Sequence, residues 1–388
     1  MTPDIYSRSQ RYAGRHNTAA CRRSRPEPLL AIPDRTRVGQ SDPDQPSFTR
    51  SHAMSRAVRF HQIGGPEVLQ LDDVPEPKPG AGEVLIHARA WGLNRADSLF
   101  RQGMYSVAPV VPGGMGFEVA GLIAAIGDGV GEFHVGQAVS VLSGFNLLDY
   151  PMHGEAVLAP VHAVVAHPEE LSFEQAASTW MQYITAYGGL VEIANTRPGD
   201  TVLISAASSS VGLAAIQIAR RAGAKAVTLT RTGAKRRQLL DAGADVVIAT
   251  AEEDVVARIR ELTEERGARV IFDAVGGAAL ATLIEAAAQD AVLVIYGVLD
   301  FTPATVNVMD VLLKRLTIRG FGVAELASDS LRLAPAVDYV RNGIVDGDLV
   351  PVIDKVFPLE DYADAHRYLE RNGQVGKIVV AVDGRTDG

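Results

Sequence analysis

Two stretches of this chain place reactive or ligand-holding residue types at meaningful spacing. In the first, the apolar run TVLIS (Thr201 to Ser205) leads into AASSSVG and then into LAAIQIARRAG. A strand that ends in a turn of small residues and opens a helix gathers backbone N–H groups and the positive helix end around one point. That geometry holds the pyrophosphate of a dinucleotide. The three positions of a G-x-G-x-x-G pattern read Ala207, Ser209 and Gly212, and Ser208, Ser210 and Val211 complete the turn. Strand, turn and helix come in the required order, and the three serine hydroxyls add donors to the amides. A β-α turn capped by serine explains the same residues without a ligand.

The second stretch is TRTGAKRR. Arg231 stands 24 residues after Ala207, near where an acidic residue bonds the ribose hydroxyls of NAD. A carboxylate there would repel a 2′-phosphate, whereas a guanidinium bonds it in bidentate fashion. Arg231 and Lys235 are therefore read as cofactor ligands and NADP(H) as the cofactor, with Arg236 and Arg237 on a solvated helix face.

These residues need a scaffold. From Met54 to about Phe173, runs such as EVLIHARAWGL, EVAGLIAAIG and QAVSVLSGF lie between glycine and proline clusters, which predicts a β-rich domain. Next, TVLISAA, AVTLT, DVVIA, RVIFDAV and AVLVIYG alternate with helix-length amphipathic segments, predicting a doubly wound parallel sheet. A helix (SLRLAPAVDYVRNG), a strand, a second helix (LEDYADAHRYLERN) and the strand GKIVVAV follow, and these last strands are expected to return to the first domain.

The chain has 388 residues, 47% of them apolar and 21% charged, enough for one or two substantial cores. A net charge of −9 makes nucleic acid an unexpected partner. No run of 18 apolar residues predicts a membrane span. The one cysteine, Cys21, leaves no intrachain disulfide and fits a reducing compartment, hence the cytoplasm. Residues 1–53 hold nine Arg, no Lys, five acidic residues, six Pro and six Ser. They are read as a disordered extension. Their acidic content argues against a transit peptide, and Met54, directly before the strand-like run SRAVRF, is read as the true start, with the tail dispensable. His134, His153 and His162 show no metal-ligand spacing and are taken as structural.

With these features in view, HQIGGPEVLQ, LNRADSLFRQGMY, GFEVAGLIAAIG, LSFEQAAS, ITAY, AASSSVG and IFDAVGG together resemble the zinc-independent quinone oxidoreductases of the medium-chain dehydrogenase/reductase superfamily, over nearly all of residues 54–388. The resemblance implies a GroES-like catalytic domain from 54–175 and 327–388 around a Rossmann NADP-binding domain at 176–326. The superfamily's zinc alcohol dehydrogenases carry a catalytic Cys and a Gly-His-Glu motif where this chain has Asn94 and Phe117, so no metal is expected.

By the same resemblance Asn94 lies at the nicotinamide end and Tyr105 in the substrate cleft, as acid or orienting residue, against the competing reading of Tyr105 as a buried, hydrogen-bonded core tyrosine. Thr185, Val275, Gly276, Tyr296 and Gly297 line the cofactor, with permissive strand-end backbone at the two glycines and core packing of Tyr296 as the competing readings. Lys377 is within reach of the cofactor in principle but is taken as a lone surface lysine, and Leu99 replaces an aromatic residue common in the family. The implied activity is NADPH-dependent hydride transfer to a quinone or other α,β-unsaturated carbonyl. A 2-enoyl thioester reductase and a non-enzymatic NADPH-binding protein are the alternatives. A homodimer joined along the outer strand of the nucleotide-binding sheet is also implied.

Overall fold

The computed structural model describes residues 53–382. The extension read at 1–53 therefore lies, Ala53 apart, outside the described residues. Short runs of branched and small residues between turns form β1 (Met54–Phe60), β2 (Leu69–Pro75) and β3 (Glu83–Leu93), then helix α1 (Arg95–Arg101). After these come β4 (Gly113–Gly114), β5 (Val119–Ile126), β6 (Ala138–Val141), β7 (Ala156–Pro160) and β8 (Val164–Ala166). Helices α2 (Phe173–Ala176) and α3 (Trp180–Tyr187) lead into the second part of the fold.

That part is a six-stranded parallel sheet of β9 (Thr201–Ile204), β10 (Lys225–Thr230), β11 (Val246–Ala249), β12 (Ala268–Asp273), β13 (Ala287–Ile295) and β14 (Thr317–Gly320). Its order, β11-β10-β9-β12-β13-β14, is the doubly wound order of a Rossmann sheet. Helices α4 (Ser210–Arg221), α5 (Arg236–Asp241), α6 (Val255–Thr263), α7 (Ala279–Glu285) and α8 (Val308–Lys314) make the connections. Five of the strands are the apolar runs of the sequence. The sixth, β14, is a four-residue edge strand with every residue exposed, so it carries no apolar signature.

The chain closes with α9 (Val323–Ala327), α10 (Ser330–Val345), β15 (Ile353–Pro358), α11 (Tyr362–Glu370) and β16 (Lys377–Ala381). Helix α10 falls in the 327–388 segment, yet it buries Leu333, Ala336, Val340 and Ile344 in the cluster formed by α3 and α4. Strands β15 and β16 instead enter the sheet of β3.

β3 organises the β-rich part. One edge pairs with β5 along most of its length, and the other is shared, its first half by β7 and its second half by β16. The shared edge brings the start of β16 beside the end of β3, where the sequence places Asn94. Trp91, Phe60, Phe100, Met115 and Ile86 fill the core beneath. Beyond α3 the helix widens into a π-helical turn at Gly188–Ile193. Its two glycines admit aromatic rings: a Cβ at Gly188 would lie 2.3 Å from Phe321, and one at Gly189 2.3 Å from Phe272.

Candidate active site

The turn after β9 is built for close approach. Ala206 takes a left-handed backbone (φ 46°), uncommon for a residue with a Cβ. The Ser209 hydroxyl caps α4 by accepting from the Gly212 N–H at 3.0 Å. A Cβ at Gly212 would sit 2.6 Å from the Ala207 carbonyl oxygen, so only glycine lets the first helical turn pack on the strand end. The capping role considered for serine is therefore realised. It uses one lone pair of Ser209, whose hydroxyl is also the polar neighbour of Tyr296, and leaves the N–H groups of Ser210 and Val211 without a capping side chain among the described residues.

The structure separates the two cations read from TRTGAKRR. Lys235 donates to the Ser208 hydroxyl (3.0 Å) and to the carbonyls of Asn372 (3.1 Å) and Gln374 (2.8 Å), so its ammonium ties the turn to the segment before β16. The Gly376 N–H donates to the Ser208 carbonyl at 3.0 Å and strengthens the same junction. Arg231 is exposed and its side chain has no hydrogen bond or ion pair among the described residues. Arg236 bonds the Val247 carbonyl and Glu253, and Arg237 pairs with Asp241, which occupies both.

Val275, Gly276, Tyr296 and Gly297 follow the C-terminal ends of two neighbouring strands of the parallel sheet, β12 and β13, whereas Thr185 lies on α3. Asp273, at the end of β12, accepts from the Ser205 hydroxyl (2.5 Å), the Val275 N–H (3.1 Å) and the Gly276 N–H (2.8 Å), fixing the backbone of the next loop. Gly276 needs its positive φ of 66° for that path. The Tyr296 ring stacks on Phe272 with centroids 4.0 Å apart. Its buried hydroxyl makes no hydrogen bond of standard geometry, and Ser209 is its polar neighbour; burial pushes this phenol up. Gly297 lies against Ala274. Thr185 donates its hydroxyl to the Met181 carbonyl at 2.6 Å, so it can only accept from a ligand. The glycine-opened turn, the free helix end, the orphaned Tyr296 hydroxyl and the unpaired Arg231 together fit an anionic dinucleotide.

At the end of β3, the Asn94 N–H donates to the Asp97 carboxylate (2.7 Å), which caps α1. The Asn94 side chain joins a pair invisible in the sequence. Lys377, read as a surface lysine, has a fully buried side chain ion-paired with Glu118, itself 1% exposed; this corrects that reading. Packing β16 on β3 carries the lysine inward, and the buried carboxylate compensates its charge. Asp97 is also fully buried, and burial pushes its carboxyl up to about 7 against the opposing pull of the Asn94 N–H and Lys377. Phe117 turns its ring edge to Tyr105, with centroids 5.6 Å apart. Tyr105 is half-buried, and burial together with Asp97 raises its phenol. His153 is buried against Trp91, with ring centroids 4.5 Å apart. Among the described residues no group of three or more His, Cys, Asp or Glu is arranged to hold a metal.

A Rossmann sheet in the order above, joined to a β-rich part, defines the medium-chain dehydrogenase/reductase class. The alcohol dehydrogenase GroES-like domain model matches residues 80–186 and the zinc-binding dehydrogenase model matches residues 210–337. The quinone oxidoreductase of Lama guanicoe is 34% identical over 84% of this chain and 97% of its own length. The crystal structure of Escherichia coli quinone oxidoreductase complexed with NADPH superposes with a TM-score of 0.77 at 28% identity, covering 84% of this chain and 99% of that one. A crystal structure of an NAD-dependent alcohol dehydrogenase also reaches 0.77, at 32% identity over 84% of this chain and 99% of that one. The chain belongs to the quinone oxidoreductase family, a family of oxidoreductases.

Proposed function

We propose that this protein binds NADPH and reduces a quinone or another conjugated carbonyl without a catalytic metal. The observation that carries the reading is the make-up of positions 94 and 117. One is an amide already bonded to Glu118 and Lys377, and the other is a phenyl ring packed on Tyr105. Neither offers zinc a thiolate or imidazole. The bound nicotinamide would supply hydride, and a conjugated acceptor spreads the incoming charge over its own π-system. Tyr105, protonated through the ordinary pH range, would then be the hydrogen-bond and proton donor. NADPH is favoured over NADH by the unpaired Arg231, with Lys235 supporting the turn beside it.

The one cysteine suits work in the cytoplasm, and no helix among the described residues is long and apolar enough to cross a membrane. A second copy of the chain is the proposed partner along β14, whose edge is unpaired and exposed beside apolar Val308, Leu312 and Leu313 of α8.

The test follows NADPH oxidation by absorbance with the full chain and a simple quinone, an enone, an enal and a short 2-enoyl thioester. NADH and a metal chelator serve as controls. Chelator-insensitive turnover with NADPH in preference to NADH supports the proposal, and the best acceptor separates quinone from thioester reduction. NADPH binding with no acceptor reduced would leave a binding protein.

A further inference from the structure

Asn94 has no proton left to give a ligand. Its backbone N–H goes to Asp97, one side-chain N–H to Glu118 Oε1 at 3.0 Å, and the other toward the Gly92 carbonyl at 3.4 Å. Its Oδ1 accepts from Lys377 Nζ at 2.7 Å, and its second lone pair lies toward the capping-box N–H of Asp97, which donates to the Asn94 main-chain carbonyl at 3.0 Å, so acceptor capacity at this oxygen is all the side chain can offer a ligand. A lone asparagine amide turns over at little cost, exchanging donor for acceptor. Here a cation on one side and a carboxylate on the other forbid the exchange.

Three strand ends create this lock. Glu118 precedes β5 on one edge of β3, and Lys377 starts β16 on the other. Gly92 of β3 leaves the space between them: a Cβ there would lie 2.6 Å from Lys377 Cε and 2.8 Å from Glu118 Oε1. Glu118 reaches further, accepting from the Met181 N–H of α3 at 3.3 Å, so the same carboxylate ties the β-rich part to the helix that bears Thr185.

We infer that Lys377 and Glu118 are positioning residues that hold Asn94 as a pure hydrogen-bond acceptor, suited to an N–H or O–H of the bound cofactor, and that Asn94 does not polarise the substrate carbonyl. This rests on the NADPH reading above. It assigns the donor role at the acceptor to Tyr105 alone of the two residues placed there. It also makes a distant C-terminal lysine part of the cofactor's nicotinamide-end geometry.

The test exchanges acid and amide. Asn94→Asp sets a second carboxylate against Glu118, while Glu118→Gln removes the ion pair. The double variant Asn94→Asp/Glu118→Gln restores the net charge and one donor between the two positions. The charged and titratable groups around them are Lys377 of β16 and Asp97 of α1, with Arg101 acting on Asp97 and Lys377 acting on His153. NADPH affinity is read from cofactor fluorescence, which needs no turnover, alongside kcat and KM for a quinone and the thermal midpoint.

The expected result is about tenfold weaker NADPH binding in Asn94→Asp at pH 8, eased at pH 6 as the paired carboxylates share a proton. The double variant should return to within about threefold of the parent. Single variants that bind NADPH like the parent, or a double variant that stays as weak as Asn94→Asp, would overturn the inference. Losses that follow the thermal midpoint, with no pH dependence in Asn94→Asp, would also overturn it by reducing the pair to a structural one. A parent chain that binds NADPH but reduces no acceptor would sink the acceptor reading while leaving the fluorescence test decisive.

Discussion

Lys235 and Ser208 are joined by a 3.0 Å hydrogen bond, so a cation that sequence spacing assigns to a phosphate also staples the nucleotide turn to the segment before β16. Arg231, four residues earlier, has no side-chain hydrogen bond or ion pair among the described residues. The two should separate in experiment. Arg231→Ala should cut the NADPH to NADH preference by about tenfold, the worth of a charge-assisted hydrogen bond pair, with little change in thermal midpoint. Lys235→Met should lower affinity for both nucleotides and speed hydrogen exchange at residues 372–376. Equal preference loss in both variants would mean that Lys235 leaves its carbonyls for the phosphate.

Tyr105 is proposed to donate to the reduced acceptor, and its phenol is raised by burial and by Asp97. Tyr105→Phe should lower kcat by about a hundredfold with NADPH affinity unchanged, in keeping with the loss of a general acid. Because the phenol stays protonated, the parent's kcat should show no fall from deprotonation of this group at neutral pH. A variant retaining more than half of the parent rate would make Tyr105 a packing residue on Phe117.

Three fully buried groups contribute to the pH dependence of stability. Burial holds His153 down to about 3 and His366 well below its ordinary 6.5, so both fold as neutral rings. Their contribution is complete above pH 6.5 and is lost as pH falls. Asp97 acts in the other sense: its folded value near 7 exceeds the ordinary 3.8, so stability declines as pH rises between those values and is level above. Two rising limbs against one falling limb leave these groups favouring folding most near pH 6.5. Each limb is worth about 1.4 kcal/mol per pH unit. His153→Phe, which keeps a flat ring against Trp91, should therefore flatten the rise in thermal midpoint between pH 5 and 6.5. An unchanged slope would show that His153 does not control it.

The outer strand β14 and helix α8 expose Val308 (71%), Leu312 (66%) and Leu313 (64%). Replacing Leu312→Glu and Leu313→Glu together should convert a dimer to a monomer in light scattering while the circular dichroism stays that of the parent. A parent chain that is already monomeric would dispose of the proposed partner.

Much of the scaffold was legible because its signals are local. Strands β9 to β13 are apolar runs, since each is buried by helices, and Gly212 follows Ser209 at the spacing a helix cap and a close turn require. β14 was not legible: four exposed residues gain their strand geometry from pairing with β13 and show no hydrophobic pattern. Helix α10 was equally opaque in its allegiance, because its apolar face does not name the partner it meets.

From sequence alone came the order of strand, small-residue turn and helix, the basic residues after β10, and the absence of a thiol or imidazole at positions 94 and 117. These depend on residue type and on distances of a few tens of positions. The pairing of Glu118 with Lys377, 259 residues apart, was decided only when β5 and β16 flanked β3 and Gly92 left room between them. Burial is a property of the assembled sheet, and it turns a lysine that reads as a solvated surface group into an ion pair locking an asparagine.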